Sequence, residues 1–212
     1  MTPFDREADA HHLDALCAPF FNEQSNPLSA QVRSGLLHFA DLVATWGART
    51  DLVAARSPEA LLEILCLDAF VLAEGLPREQ TLIDVGAGAG APSLSLALLR
   101  PDLHLTLLEP RRKRVAFMRT AVGALGLSDR VLVREGRIED CHDERFDIAL
   151  SRATFEPAEW LQRAAPLADV VAVLLGAADL PRSDPWWEKR YQTVKGGSRR
   201  VLLYHSECAG DV

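Results

Sequence analysis

Alternating glycines are the first residues in this chain with a spacing suited to chemistry. Gly86, Ala87, Gly88 and Gly90 lie in the run Asp84-Val85-Gly86-Ala87-Gly88-Ala89-Gly90-Ala91-Pro92, directly after the apolar pair Leu82-Ile83. Glycine permits tight turns and lets a ligand approach bare backbone. A helix that starts next adds N–H groups without internal partners. The bend therefore suits a nucleotide-type cofactor. Asp84 stands at the strand end, where a carboxylate can orient the loop or meet a cationic part of a ligand. Spacing leaves a nicotinamide dinucleotide open, although the third glycine comes one position early for GxGxxG. A glycine turn with no ligand is the plainer alternative.

Two further strand ends extend this cofactor reading. Glu109, followed by Pro110, closes the next strand-like run, where an acidic side chain can accept hydrogen bonds from both hydroxyls of a ribose. Arg137-Ile138-Glu139 follows the third. There Ile138 can pack on an adenine ring, and a carboxylate or backbone group can take its amino hydrogen; a charged surface turn is the alternative.

The remaining candidates are charged. Arg111-Arg112-Lys113-Arg114 opens a helix. Cations there oppose the helix dipole at roughly 0.3–1 kcal/mol each, so an anion is expected: a nucleic-acid phosphate, a cofactor carboxylate or Glu109 itself. A solvated charge run is the other reading. Arg199-Arg200 opens the last strand, with Lys189, Arg190 and Lys195 nearby. Arg152 ends the fourth strand and is a candidate for positioning a substrate, or else pairs with Asp147 or Glu156. Asp68 shares a helix face with Leu61, Leu65 and Leu72. It is a candidate counter-charge to a cationic reacting centre, or a structural carboxylate bonded to nearby backbone. Trp186 and Trp187 could stack on a base, but packing over the sheet is the simpler expectation. The six histidines have no ligand spacing, and no metal is expected.

Positioning these groups requires alternating strands and helices. Apolar residues from Ala30 to Trp46 recur at steps of three and four, which predicts a helix. Ser57-Pro58 starts another. Strands are predicted at Thr81–Val85, His104–Leu108, Arg130–Val133, Phe146–Leu150, Asp169–Leu175, Tyr191–Lys195 and Arg200–His205, the last two as a hairpin across Gly196-Gly197. Helices are predicted at Pro92–Leu99, Arg112–Leu125 and Glu156–Ala164. The expectation is an α/β Rossmann-like fold. Its sheet has seven strands, mostly parallel with one antiparallel strand. Residues 1–75 form an N-terminal helical extension and residues 76–212 one compact domain. The polar stretch 1–27, with Pro3, Pro19 and Pro27, is expected to be partly mobile.

Composition bounds the class. The 212 residues, 48% hydrophobic and 25% charged, describe an ordinary globular enzyme. The start of the chain lacks a signal peptide's apolar run, and no apolar stretch reaches membrane-span length. Cys17, Cys66, Cys141 and Cys208 are scattered, the pattern of reduced thiols. A cytoplasmic protein is expected, as a monomer by default. A net charge of −7 argues against coating nucleic acid through global electrostatics, but not against a local basic patch.

Several of these motifs together resemble one family, the bacterial small-subunit ribosomal RNA 7-methylguanosine methyltransferases, also called glucose-inhibited division protein B. The resemblance runs from about Leu28 to His205. It is carried by the glycine loop with Pro92, by Lys113-Arg114-Val115-Ala116-Phe117, by Gly136-Arg137-Ile138-Glu139, and most specifically by Ser151-Arg152-Ala153. It implies S-adenosylmethionine (SAM) as cofactor, held by Asp84, the loop, Glu109, Pro110, Arg137, Ile138, Glu139 and Arg152. It implies 16S rRNA as partner through Arg111–Arg114, Arg199 and Arg200. Guanine's seven-nitrogen carries a free lone pair, so no general base is needed. Arg152 would donate to the guanine carbonyl, and Asp68 would balance positive charge. The chain departs from the family pattern at Asp51-Leu52-Val53, where Asn-Leu-Thr is usual. It departs again at Leu65-Cys66-Leu67-Asp68-Ala69 (His-Ile-Leu-Asp-Ser) and at Leu175-Gly176 (Lys-Gly). A methyltransferase of another substrate and a non-catalytic SAM- or RNA-binding relative are the alternatives.

Overall fold

A computed structural model describes residues 5–21, 28–47, 50–141, 143–176 and 184–209. Pro3, Pro27 and Pro181 lie outside the described residues.

Seven strands form one sheet in the order β3-β2-β1-β4-β5-β7-β6. They are β1 (Thr81–Val85), β2 (His104–Glu109), β3 (Val131–Glu135), β4 (Phe146–Ser151), β5 (Ala168–Leu175), β6 (Trp187–Gln192) and β7 (Ser198–His205). The first five run parallel. β7 runs antiparallel to both β5 and β6, so it is the one reversed strand. The order turns back between β1 and β4. In such sheets ligands bind beyond the carboxyl ends of the strands at that switch point.

Strand alternation divides the interior in two. On β1, Leu82 enters the larger core, while Ile83 and Val85 enter the smaller. The larger core is built against α1 (Arg6–Cys17), α2 (Ala30–Gly47), α3 (Pro58–Gly75), α4 (Ser93–Leu99) and α5 (Arg112–Ala124). The smaller takes Trp160, Leu161 and Ala164 from α6 (Pro157–Ala164) and Cys141 from a 3-10 turn, Ile138–Cys141. A short α7 (Ser206–Ala209) follows β7. Ser57 caps α3 by accepting from the Ala60 N–H at 3.3 Å, and Pro58 takes its first turn. From Leu65 to Leu72 every α3 residue is buried, so this helix is core on all sides.

Two elements differ from the sequence expectation. The stretch expected to be partly mobile contains α1, capped by Asp5, with Leu13, Leu16 and Cys17 buried. Its apolar stripe is short and its exposed face strongly polar, which hid the period. The sixth strand spans Trp187–Gln192, not Tyr191–Lys195. Trp187, Lys189 and Tyr191 point inward, and inward Lys189 masked the alternation. Its ammonium is paired with Glu74 at 2.9 Å and lies 6.0 Å from the Phe20 ring centre. The turn runs through Thr193 and Gly196, the latter at φ +79°. Trp187 packs its ring against Gly75, where a β-carbon would come within 2.6 Å of it. Trp186 stacks on His205 with ring centres 5.6 Å apart.

Candidate functional site

The glycine loop crosses the carboxyl end of β1. Gly86, Gly88 and Gly90 all take positive φ, at +77°, +60° and +80°. The loop is tied to β2: Gly86 and Ala87 N–H donate to the Leu108 carbonyl at 2.8 and 3.1 Å. Two of the glycines also have packing reasons. A side chain at Gly86 would run into Thr154, and one at Gly90 into Leu94. Gly88 is different. Nothing lies within 3.7 Å of where its β-carbon would sit, and the nearest atom is Nη1 of Arg114. Its bareness leaves open space over the loop, bordered by a guanidinium.

Glu109 faces this loop from the tip of β2. Its Oε2 accepts the Gly88 N–H and its Oε1 the Arg111 N–H, both at 2.9 Å. Each oxygen keeps a lone pair, so the carboxylate is fixed yet still able to accept. Asp84 is buried beneath the loop and accepts from the Ser93 hydroxyl at 2.5 Å. It thereby ties the end of β1 to the first residue of α4 across the loop. Burial pushes its carboxyl up to about 7; Ser93 and Arg152 oppose that rise and Glu109 adds to it. Pro110 lies exposed in the turn between Glu109 and α5.

The third strand end is less gathered. Arg137 is exposed, and its N–H donates to Asp140 at 2.7 Å. Ile138 packs against the smaller core. Glu139 pairs with Arg163 at 2.8 Å. Of the four basic residues at the α5 start, Arg112 pairs with Glu135 at 2.9 Å and Arg114 donates to the Asp51 carbonyl at 3.4 Å. All four line one cleft with Thr50 and Asp51.

The other half of the site lies across the switch point. A cavity of about 420 Å³ is lined by Ile64, Asp68, Arg152, Phe155, Tyr191 and Arg199, among others. Ser151 ties β4 to β1 by donating to the Val85 carbonyl at 2.8 Å. Ala153 then takes φ +56°, a left-handed turn that costs of order 1–3 kcal/mol for a residue with a side chain. That turn sets Thr154 over Gly86, so the two halves touch.

Arg152 pairs with neither Asp147 nor Glu156. Its Nη1 donates to Asp68 Oδ2 at 3.0 Å and to the Ile64 carbonyl at 2.8 Å. Asp147 instead accepts from the N–H and hydroxyl of Thr81. Asp68 is bonded to side chains, not to nearby backbone. Its Oδ1 accepts from the Tyr191 hydroxyl at 2.8 Å and from Arg199 Nη1 at 3.2 Å. Tyr191 and its bond to Asp68 escaped the sequence reading; the missed inward stripe of β6 was the one available signal. The Arg199-Arg200 pair is divided by strand alternation. Arg199 shares the face of Val201 and Leu203, while Arg200 shares that of Leu202 and Tyr204. Among the described residues no three His, Cys, Asp or Glu side chains form a metal cluster, and no helix is long and apolar enough to cross a membrane.

Comparison with known proteins gives a consistent result. The family model described as rRNA small subunit methyltransferase G (GidB) matches residues 33–176. A Neisseria gonorrhoeae protein named ribosomal RNA small subunit methyltransferase G is 37% identical over 140 residues, covering 66% of this chain and 67% of that one. A Frankia alni protein of the same name is 38% identical over 141 residues, covering 65% of this chain and 50% of its own. The B. subtilis tRNA methyltransferase TrmK superposes with a TM-score of 0.52 at 17% identity, over 65% of this chain and 64% of that one. The last comparison speaks to the fold alone, a Rossmann-like methyltransferase sheet.

Proposed function

Since the chain belongs to the rRNA small subunit methyltransferase G (GidB) family, we propose that it transfers the methyl group of SAM to the seven-nitrogen of a guanine in 16S rRNA. One observation carries the reading most directly. The loop with its fixed carboxylate and the arginine-lined cavity lie side by side at the switch point, touching through Thr154 and Gly86.

The residues of the first half fit the cofactor. Gly88 keeps open the space that a side chain would fill, and Arg114 borders it with a cation suited to a carboxylate. Glu109 would hold the ribose hydroxyls with the lone pairs left after Gly88 and Arg111 are bonded. Ile138 and Glu139 would serve the adenine side, and Glu139 would first leave Arg163. When bound, the cofactor supplies an electrophilic methyl carbon on a sulfonium.

The second half would hold the nucleophile. Guanine's seven-nitrogen needs no base, so the chain's task is orientation, worth about 7–11 kcal/mol when two reactants are held in line. Arg152 would donate to the guanine carbonyl, and Asp68 fixes Arg152. The target edge is inaccessible in the deep, narrow major groove of an A-form helix, so the base would come from a loop or be flipped out. The other cations at the start of α5, Arg111, Arg112 and Lys113, would meet RNA phosphates beside the loop. A substrate of this kind would place the protein in the cytoplasm.

The test is methyl transfer. Purified protein, tritiated SAM and undermethylated small ribosomal subunits should give label in 16S rRNA, lost in Arg152→Ala. Tight SAM binding with no label in the RNA would contradict the reading and leave a non-catalytic binder or an enzyme of another substrate.

A further inference from the structure

Asp68 holds more positive charge than it needs. A buried carboxylate is costly unless paired, and one guanidinium would pair it. Asp68, with its side chain 2% exposed, receives two, from Arg152 and Arg199, and a neutral donor besides in Tyr191. The bonded cluster of Asp68, Arg152 and Arg199 carries one net positive charge at the cavity wall. Glu156 also lines the cavity but is exposed and pairs with neither arginine.

The arrangement places that charge outward. The side chains of Arg152 and Arg199 are 25% and 33% exposed, while the carboxylate between them is closed to water. Among the described residues, Arg199 bonds only to Asp68, through Nη1. Its other guanidinium N–H groups are free for a ligand, in a planar fork that matches a phosphate. Two structural facts put it there. β7 is the reversed strand, so its first residues lie beside the last residues of β5, with Arg200 opposite Leu175. Alternation then turns Arg199 toward α3 and Arg200 away.

Resting on the reading of this chain as an RNA methyltransferase, we propose that Arg199 seats one RNA phosphodiester at the cavity, with Asp68 and Tyr191 as positioning residues that fix it relative to Arg152. A phosphodiester carries the single negative charge that the cluster lacks. The cofactor's own carboxylate is the competing anion, and Arg114, beside Gly88, stands at the cofactor loop to take it.

The experiment measures affinity for undermethylated small subunits by filter retention over a salt series, and affinity for SAM by calorimetry. Arg199→Gln should weaken subunit binding about tenfold, the loss of one charged hydrogen-bonded contact. It should also make the slope of log affinity against log salt shallower by about 0.7, the value for one phosphate on a single strand. SAM affinity should not move. Arg199→Lys should restore the slope, since the charge returns, but only part of the affinity, since the fork does not. Tyr191→Phe should weaken binding by a smaller factor at unchanged slope. An unaltered slope in Arg199→Gln overturns the proposal, because a purely structural arginine would not carry a counterion term. Weakened SAM binding overturns it as well, by assigning Arg199 to the cofactor. The slope is read without turnover, so a wild-type protein that binds subunits and transfers no methyl would contradict the proposed function and not the phosphate seat.

Discussion

The two halves of the site are built in opposite ways. Around the loop, most of the anchoring comes from backbone N–H groups: Gly86 and Ala87 on the Leu108 carbonyl, Gly88 and Arg111 on Glu109. Across the switch point the work falls to side chains, with Arg152, Tyr191 and Arg199 converging on Asp68. The first half depends on residues that a strand and its turn set close together. The second depends on partners up to 131 residues apart. A backbone-built half tolerates little change in conformation, while a side-chain-built half can be retuned by single substitutions. The departures at Leu175 and near Asp68 fall on the second half, and Leu175 lines its cavity.

The contrast breaks most sharply at Gly86. Gly86→Val imposes a β-branched residue at φ +77° against Thr154. Strain and overpacking at roughly 1–3 kcal/mol each should lower the melting temperature and weaken SAM binding about 100-fold or more by calorimetry. A variant that binds SAM normally would show that the loop is not a cofactor seat.

A matched pair sharpens it. Glu109→Gln should weaken SAM binding by about 10–100-fold, in keeping with roughly 1.5–3 kcal/mol per charged hydrogen bond, and leave RNA affinity unchanged. Asp68→Asn should do the reverse in methyl-transfer kinetics, raising the KM for subunits and sparing SAM affinity. If both variants fail in the same assay, the halves are not separable.

Protonation gives a third probe. The folded pKa of Asp84, about 7, stands above its ordinary 3.8, so the native state retains a proton that the unfolded chain releases. Stability from this group is fully present below about pH 4 and declines as pH rises toward 7. Asp84→Asn should remove that decline. The melting temperature of the variant relative to wild type should therefore climb by several degrees between about pH 4 and 8, each kcal/mol being worth roughly 2–4 °C at this size.

The smallest effect is expected at Arg112, paired with Glu135 while its side chain is 87% exposed. Arg112→Ala should leave the midpoint of a denaturant melt essentially unchanged, since an exposed ion pair is screened by solvent. If it also leaves the salt slope of RNA binding unchanged, Arg112 is a solvated residue rather than a phosphate contact.

How much of this was legible follows from the same contrast. Gly86, Gly88 and Glu109 announce themselves because glycine spacing after a strand and an acid at the next strand end are local patterns, and the sheet with its one reversed strand follows from alternating segments. Asp68 was legible only as an anomaly on an apolar face. Its partners come from β6, β7 and the turn after β4, which no local period connects. β6 was misplaced because inward Lys189 looks polar while its ammonium is satisfied by Glu74. α1 was missed because a few buried side chains hold a helix whose other faces are charged.

The most direct measurement is a crystal structure of the protein with S-adenosylhomocysteine. The ribose hydroxyls should lie on Glu109, the carboxylate near Arg114, and the sulfur should face the cavity beside Arg152. Density for the ligand away from the loop, or with its sulfur turned from that cavity, would contradict a site in which the two halves meet to pass a methyl group.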